Sequence, residues 1–355
     1  MTRPRRDSSR GAAAGPARPG GAAGSFARVF GGGTGWAIVV ATLALFAVSP
    51  AVAPGSLNSA PLLSMLPFAA VLAIAAAGQT LVVQQRGLDL SVPGVMALGA
   101  ALVTGLPQNH GWAFVPAVVA AVLAGGLVGL VNGFVVNRLG VTPLVATLGM
   151  NSLLLGTVFW FTGGTPATAP DVLNRLVLAR TLGLPNTVLV ALVVVIVAGL
   201  LTKQSILGRQ MTAVGVSVPA GLALGIRIRG IQAIAYGFAG LYYAGAGILL
   251  VGYTRTAGLF LGDSYLLPTV AAVVLGGTAL TGGIASIVST GVAALFLTQL
   301  GQLLRAVGWT DAAQLIAQAV VLLAVVVARE LTPGLVQAWR RRRRRAQPAL
   351  AGARE

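Results

Sequence analysis

Long apolar runs separated by short polar stretches recur along the chain of 355 residues. A helix that crosses the hydrocarbon core of a bilayer needs about 20 mostly apolar residues. By that criterion about ten spans are predicted: Trp36–Val52, Leu62–Val83, Val92–Leu106, Trp112–Val136, Leu144–Phe161, Thr187–Leu201, Ile231–Val251, Leu266–Leu280, Ile284–Leu300 and Ala312–Val327. Val92–Leu106 and Leu266–Leu280 are short and each abuts a Gly-containing break, so each is expected to be a broken or re-entrant helix. The pattern predicts an all-α polytopic membrane protein. Its longest polar interruption, Lys203–Arg229, divides the chain into two halves. Each half holds a Gly-rich polar break followed by further apolar runs: GLDLSVPG (Gly87–Gly94) in the first and GGTALTGG (Gly276–Gly283) in the second. The two breaks share little beyond Gly and Leu, so they are only a weak signal of an internal repeat.

Composition strengthens this class. The chain is 56% hydrophobic and 9% charged, whereas a soluble domain carries about 25% charged residues. The charge that exists is strongly basic, 24 Lys and Arg against 7 Asp and Glu. It is concentrated at the ends, with Arg3, Arg5, Arg6, Arg10, Arg18 and Arg28 before the first run and Arg340 to Arg345 and Arg354 after the last. Basic tails flanking apolar runs suit anionic lipid at the cytoplasmic face rather than a nucleic acid. Ten spans place both tails on one side, and that side then receives twenty basic residues against four (Arg175, Arg180, Arg255, Arg305). The imbalance predicts cytoplasmic termini and a cytoplasmic Lys203–Arg229 segment. The five Trp residues fall at or just beyond run ends, where an indole prefers the headgroup level. Residues 1–35 are expected to be a disordered basic tail with no cleavable signal, the first apolar run serving as anchor. Residues 36–330 then form the membrane domain, and 331–355 a second basic tail.

Candidate chemistry is sparse. There is no Cys, which excludes disulfides, thiolate metal sites and Cys nucleophiles. The only Lys, Lys203, follows Thr202, so no phosphate-binding G-x-x-x-x-G-K-[ST] loop exists. His110 is the only His and reads as a polar loop residue. No carboxylate pair or Ser/His/Asp set can be assembled, so no catalytic residue, metal or cofactor is assigned. Nor is there a chain of buried acids for proton coupling or an Arg-rich span for voltage sensing. The energy source for any transport is therefore not in this chain.

Two breaks and one stripe remain. Asp89, between Leu88 and Leu90, is the costliest residue near the membrane core, where insertion scales charge about 3 kcal/mol for such a group. Arg86, or backbone N–H groups of a helix starting near Ser91, would offset it; it reads both as a helix cap and as part of a polar path. Gly276-Gly277-Thr278 and Gly282-Gly283 break a helix at depth, which lipid tolerates only against protein or a water-filled route. The translocation path is therefore placed near Asp89, Leu90 and Ser91 and near Gly276, Gly277 and Thr278. Gly125, Gly129 and Gly133 share one helix face beside Asn132 and read as a close helix-packing stripe.

These residues, taken in order, resemble the permease subunits of ribose-type ABC sugar importers, within the wider family that includes branched-chain amino acid permeases. Four blocks carry the resemblance. The first is Gly78-Gln79-Thr80-Leu81-Val82-Val83 with Gly87-Leu88-Asp89-Leu90-Ser91-Val92. The second is Gly129-Leu130-Val131-Asn132-Gly133 with Pro143 and Thr147-Leu148-Gly149-Met150. The third is Leu207-Gly208-Arg209-Gln210 with Ala213-Val214-Gly215 and Gly225-Ile226. The fourth is Ala271 to Thr278 with Gly282-Gly283. The chain departs from the family pattern at Gln79, Pro93, Ser217-Val218-Pro219 and Ile284-Ala285-Ser286. The resemblance implies a subunit of an inner-membrane importer that works with a second permease copy, a cytoplasmic ABC ATPase and an extracytoplasmic substrate-binding protein. It implies that the segment with Leu207, Gly208, Arg209, Gln210, Ala213, Gly215 and Gly225 couples to the ATPase, and that the solute is a monosaccharide. Branched-chain amino acid or nucleoside transport in the same superfamily, a stand-alone secondary transporter and a membrane enzyme are the competing readings.

Overall fold

The computed structural model describes residues 33–325 and 327. Its helices are α1 (Gly33–Val52), α2 (Ser59–Gln84), α3 (Val92–His110), α4 (Phe114–Arg138), α5 (Pro143–Thr162), α6 (Asp171–Leu178), α7 (Asn186–Gln204), α8 (Ile206–Val216), α9 (Val218–Ala223), α10 (Ile228–Thr254), α11 (Leu266–Leu275), α12 (Ile287–Ala306) and α13 (Asp311–Val325). Each of the ten apolar runs has become a helix. By length and composition α1, α2, α4, α5, α7, α10 and α12 can each cross a membrane unaided. The expectations for the two tails fall outside the described residues, apart from the start of α1.

The broken runs differ from their sequence boundaries. The run Leu266–Leu280 is helical only to Leu275. Ten residues rise about 15 Å, half of a hydrocarbon core of about 30 Å, and the chain covers the remaining depth without regular helix. The next run begins its helix at Ile287 rather than Ile284 and continues to Ala306. Lys203–Arg229 is no open loop, since it holds α8 and α9.

The central element is α10, packed against α2, α3 and α4. The closest approach is to α4. A Cβ at Gly129 would overlap the Tyr236 carbonyl, one at Gly125 would meet the Ala244 side chain at 2.5 Å, and one at Gly133 would meet the Ala233 backbone at 2.6 Å. The stripe lets two backbones touch, which is how helices associate where lipid removes the hydrophobic drive between them. The faces turned away from this core carry exposed large apolar residues such as Val115, Leu127, Leu153 and Leu192, as a lipid-facing surface requires.

The connections sort into two ends. One end gathers residues 163–186 and 254–265. There Ala167–Thr168 pair antiparallel with Thr256–Ala257, Arg180–Thr181 with Leu184–Pro185, and Arg255 donates to Asn174 at 2.6 Å. The opposite end gathers residues 85–91, α8 and residues 276–286. Gly283 N–H there donates to the Gln84 carbonyl at 3.0 Å, and Gln85 Nε2 donates to the Met211 carbonyl at 2.8 Å. This second end is the one that the basic residues assign to the cytoplasm.

Candidate functional site

The first break starts where α2 stops. Arg86 N–H bonds the Val83 carbonyl and Gly87 N–H bonds the Val82 carbonyl, a Schellman closure with Arg86 in its left-handed position at φ 65°. The chain then climbs back into the bundle. The Gln79 amide, oriented so that both its ends are satisfied, donates to the Tyr243 hydroxyl at 2.6 Å and to the Asp89 carbonyl at 3.1 Å, and accepts from Asp89 N–H at 3.3 Å. Gln79 lies five residues before the end of α2, so Asp89 sits about 7 Å in from that end. Helix α3 thus begins inside the protein rather than at its edge.

A buried helix start leaves backbone N–H groups that need acceptors, and α5 supplies two. Thr147 Oγ1 accepts from Leu90 N–H at 2.9 Å, and Asn151 Oδ1 accepts from Gly94 N–H at 2.8 Å. Thr147 and Asn151 are four residues apart on one helical face. Asp89 Oδ1 accepts from Ser91 N–H at 2.9 Å and from Ser91 Oγ at 2.6 Å, while Asn132 Nδ2 on α4 donates to Ser91 Oγ at 2.9 Å. Asp89 is 1% exposed. Its other oxygen, Oδ2, has no protein partner, nor do Asn132 Oδ1 and Tyr236 Oη. Of the two offsets expected for Asp89, the backbone N–H at the start of α3 is present as Ser91 N–H, whereas Arg86 is not its counter-ion, because its guanidinium donates to carbonyls of α8. Nor does Asp89 cap α3 directly: Ser91 holds the N-cap position, and Asp89 braces it from two residues upstream.

The second break ends α11. Gly277 N–H bonds the Val274 carbonyl and Thr278 N–H bonds the Val273 carbonyl, again a Schellman closure, with Gly277 at φ 89°. Gly276 lets the turn approach α12, since a Cβ there would meet Thr290 backbone atoms at 2.7 Å. Thr290 in turn accepts from Thr80 Oγ1 at 3.1 Å. Gln79 and Thr80 are consecutive on α2, about 100° apart around its axis, so the two breaks flank one helix on different sides.

Segment 203–229 buries Gly208, Met211, Val214 and Gly215 against the bundle and turns Arg209, Val216, Leu222 and Leu224 outward; Leu207, Gln210 and Ala213 lie between, and Gly225 is exposed. Ser205 caps α8, accepting from Gly208 N–H at 3.0 Å. A Cβ at Gly208 would overlap the Thr202 carbonyl, so the joint between α7 and α8 admits only Gly unless the backbone moves.

One cavity was not foreseen from the sequence. It measures about 920 Å³ and opens between α2, α11, α12 and α13, lined among others by Ser64, Phe68, Tyr265, Gln302 and Arg305. None of these residues belongs to a recognisable motif, and only the packing of four distant segments brings them together. The cavity lies toward the end opposite α8. From it, Leu72 and Leu297 lead down the contact of α2 with α12 to Thr80, Thr290 and Gly276.

These features define a polytopic helical membrane permease with two broken helices and, among the described residues, no catalytic constellation. The chain belongs to the family described as branched-chain amino acid transport system / permease component, whose model matches residues 62–326. It is a transporter of the inner membrane rather than an enzyme. It is 34% identical to a ribose import permease protein of Escherichia coli K12 over 297 residues, 81% of this chain and 91% of that one. It is 30% identical to the ribose import permease protein of Bacillus subtilis over 277 residues, 77% and 86% of the two chains. It is 31% identical to an autoinducer 2 import system permease protein of Escherichia coli O9:H4 over 310 residues, 84% and 93% of the two chains. No solved structure matches it.

Proposed function

We propose that the chain is the permease subunit of an ABC importer for a ribose-like monosaccharide, assembled with a second permease copy, a cytoplasmic ATPase and an extracytoplasmic binding protein. The observation that carries this reading is the line from cavity to coupling segment. A cavity of about 920 Å³ with hydroxyl, amide and guanidinium groups beside aromatic rings has the size and mixed lining of a small-molecule site. It faces the side from which a binding protein delivers solute. At the other end α8 and α9 expose Ile206, Val216, Leu222 and Leu224, apolar side chains outside the membrane spans, as a docking surface for a partner requires. The solute class comes from the ribose import relatives.

In this reading the path descends from the cavity past Gly276, Gly277 and Thr278, with Asp89, Leu90 and Ser91 on the far side of α2. The unpaired atoms Asp89 Oδ2, Asn132 Oδ1 and Tyr236 Oη are hydrogen-bonding capacity that a polyhydroxylated solute can use once the packing opens. The second permease closes the open wall of the cavity.

Because the chain has no native Cys, single cysteines report cleanly. Ser64→Cys and Gln302→Cys are expected to react with a membrane-impermeant maleimide added from outside, and the reaction is expected to block ribose uptake by the complete system. Gly156→Cys, on an open face of α5, serves as control. Full uptake after complete modification at Ser64→Cys would remove the cavity from the path.

A further inference from the structure

We propose that Arg86 is a positioning residue that locks the coupling helix α8 to both membrane breaks, so that neither α8 nor a break moves alone. This rests on the reading of α8 as the ATPase-coupling segment. Three observations meet at this side chain.

The first is its backbone. Arg86 occupies the left-handed position of the Schellman closure that ends α2, at φ 65°. That position ordinarily goes to Gly, because a Cβ is strained there. An Arg held in it marks a side chain retained against local preference.

The second is where the side chain goes. Nε donates to the Gly215 carbonyl at 3.1 Å and Nη2 to the Val216 carbonyl at 2.8 Å. These are carbonyls of the last turn of α8, which have no acceptor role inside the helix and lie at the negative end of its dipole. A planar, fixed-charge fork fits two adjacent carbonyls in a way that an ammonium does not.

The third is what the stem crosses. A Cβ at Gly282 would meet Arg86 Cγ at 2.5 Å and the Gly215 carbonyl at 2.8 Å, and Gly282 itself sits at φ 86°. The segment after the α11 break is therefore clamped under the Arg86 stem. Its neighbour Gly283 donates to the Gln84 carbonyl at 3.0 Å, and Gln84 Nε2 reaches Thr212 Oγ1 on α8 at 3.0 Å. Asp89 follows Arg86 by three residues. A force on α8 thus reaches the Asp89 break through the Arg86 backbone and the Gly276–Gly283 break through its stem.

Arg86→Gly separates the two roles of the residue. Gly suits the left-handed backbone, so the thermal unfolding midpoint of the purified transporter is expected to hold or rise. The ratio of solute imported to ATP hydrolysed, measured with the complete transporter in liposomes, is expected to fall at least fivefold. Amide exchange in residues 276–283 and 212–217 is expected to quicken even without nucleotide. Arg86→Lys, which keeps charge without the fork, should fall between wild type and Arg86→Gly. A wild-type ratio in Arg86→Gly, or in Arg86→Lys if the first variant fails to assemble, would overturn the proposal, as would unchanged exchange in 276–283. If Arg209 variants keep full coupling while Arg86→Gly loses it, the lock stands and the reading of α8 as the ATPase contact is what fails.

Discussion

Asp89 satisfies one carboxylate oxygen with Ser91 and leaves the other without a protein partner. Removing the carboxylate takes the buried acceptor from the Ser91 N–H and the Ser91 hydroxyl proton, and each buried polar group left unsatisfied costs about 1–3 kcal/mol. Asp89→Ala is therefore expected to lower the thermal midpoint and to cut uptake severely. His110→Ala provides the contrast. His110 is exposed at the end of α3 and only stacks on Phe161, with ring centroids 6.0 Å apart, so its loss is expected to change stability by less than about 0.5 kcal/mol. Equal tolerance of the two changes, measured by fluorescence-detected gel filtration after heating and by uptake, would contradict this placement of Asp89. The importance of Asp89 was legible in the sequence because an acid between two Leu residues at a span edge demands partners. One partner was as well, since N–H groups of a helix starting near Ser91 were one of the two offsets expected and Ser91 N–H donates to Asp89 Oδ1 at 2.9 Å; the surrounding side chains were not. Arg86 is nearer in sequence, yet Asn132, Thr147 and Gln79 build the site, and only tertiary packing selects among such candidates.

Among the elements, glycines separate by what their missing Cβ makes room for. Gly129→Ala drives a methyl group into the Tyr236 carbonyl and must push α4 away from α10; overpacking of this kind costs about 1–3 kcal/mol. Gly277→Ala must hold φ 89°, a cost of about 1–2 kcal/mol. Gly156→Ala meets nothing within 4 Å on its helix and is expected to be neutral or slightly stabilising. Detergent-solubilised variants ranked by half-inactivation temperature should follow Gly129→Ala lowest, then Gly277→Ala, then Gly156→Ala. Spacing alone marks the Gly125–Gly129–Gly133 face in the sequence. The ten runs were equally plain there, because hydrophobic length is a property of each segment by itself. The end of α11 was half plain: Gly276-Gly277-Thr278 marked the break, but the apolar run continued to Leu280 while the helix stops at Leu275.

At the scale of the whole molecule, the two ends have different proposed tasks, and the length of α2 keeps them apart. Arg209 and Gly208 lie on α8, the proposed coupling helix, remote from the outer cavity. Replacing both, Gly208→Ala with Arg209→Ala, is expected to leave membrane insertion intact and to cut import per ATP hydrolysed at least tenfold. Unchanged import by that variant in cells carrying the complete system would count against partner docking at α8. The outer cavity was invisible in the sequence for a physical reason. Ser64, Phe68, Gln302 and Arg305 are ordinary residues at span ends, and their joint role exists only because α2 and α12 run side by side.

The arrangement around α2 also closes a ring. The first break is pinned to α2 through Gln79, and the second through Thr80 by way of Thr290. Below those pins the two breaks are joined again where Arg86 crosses Gly282. A linkage fixed at both ends has fewer independent motions than its parts. On the proposed path these contacts make the two breaks one hinge: neither is expected to shift far while the other stays put, so a half-open state, with its leak of solute, is expected to be disfavoured.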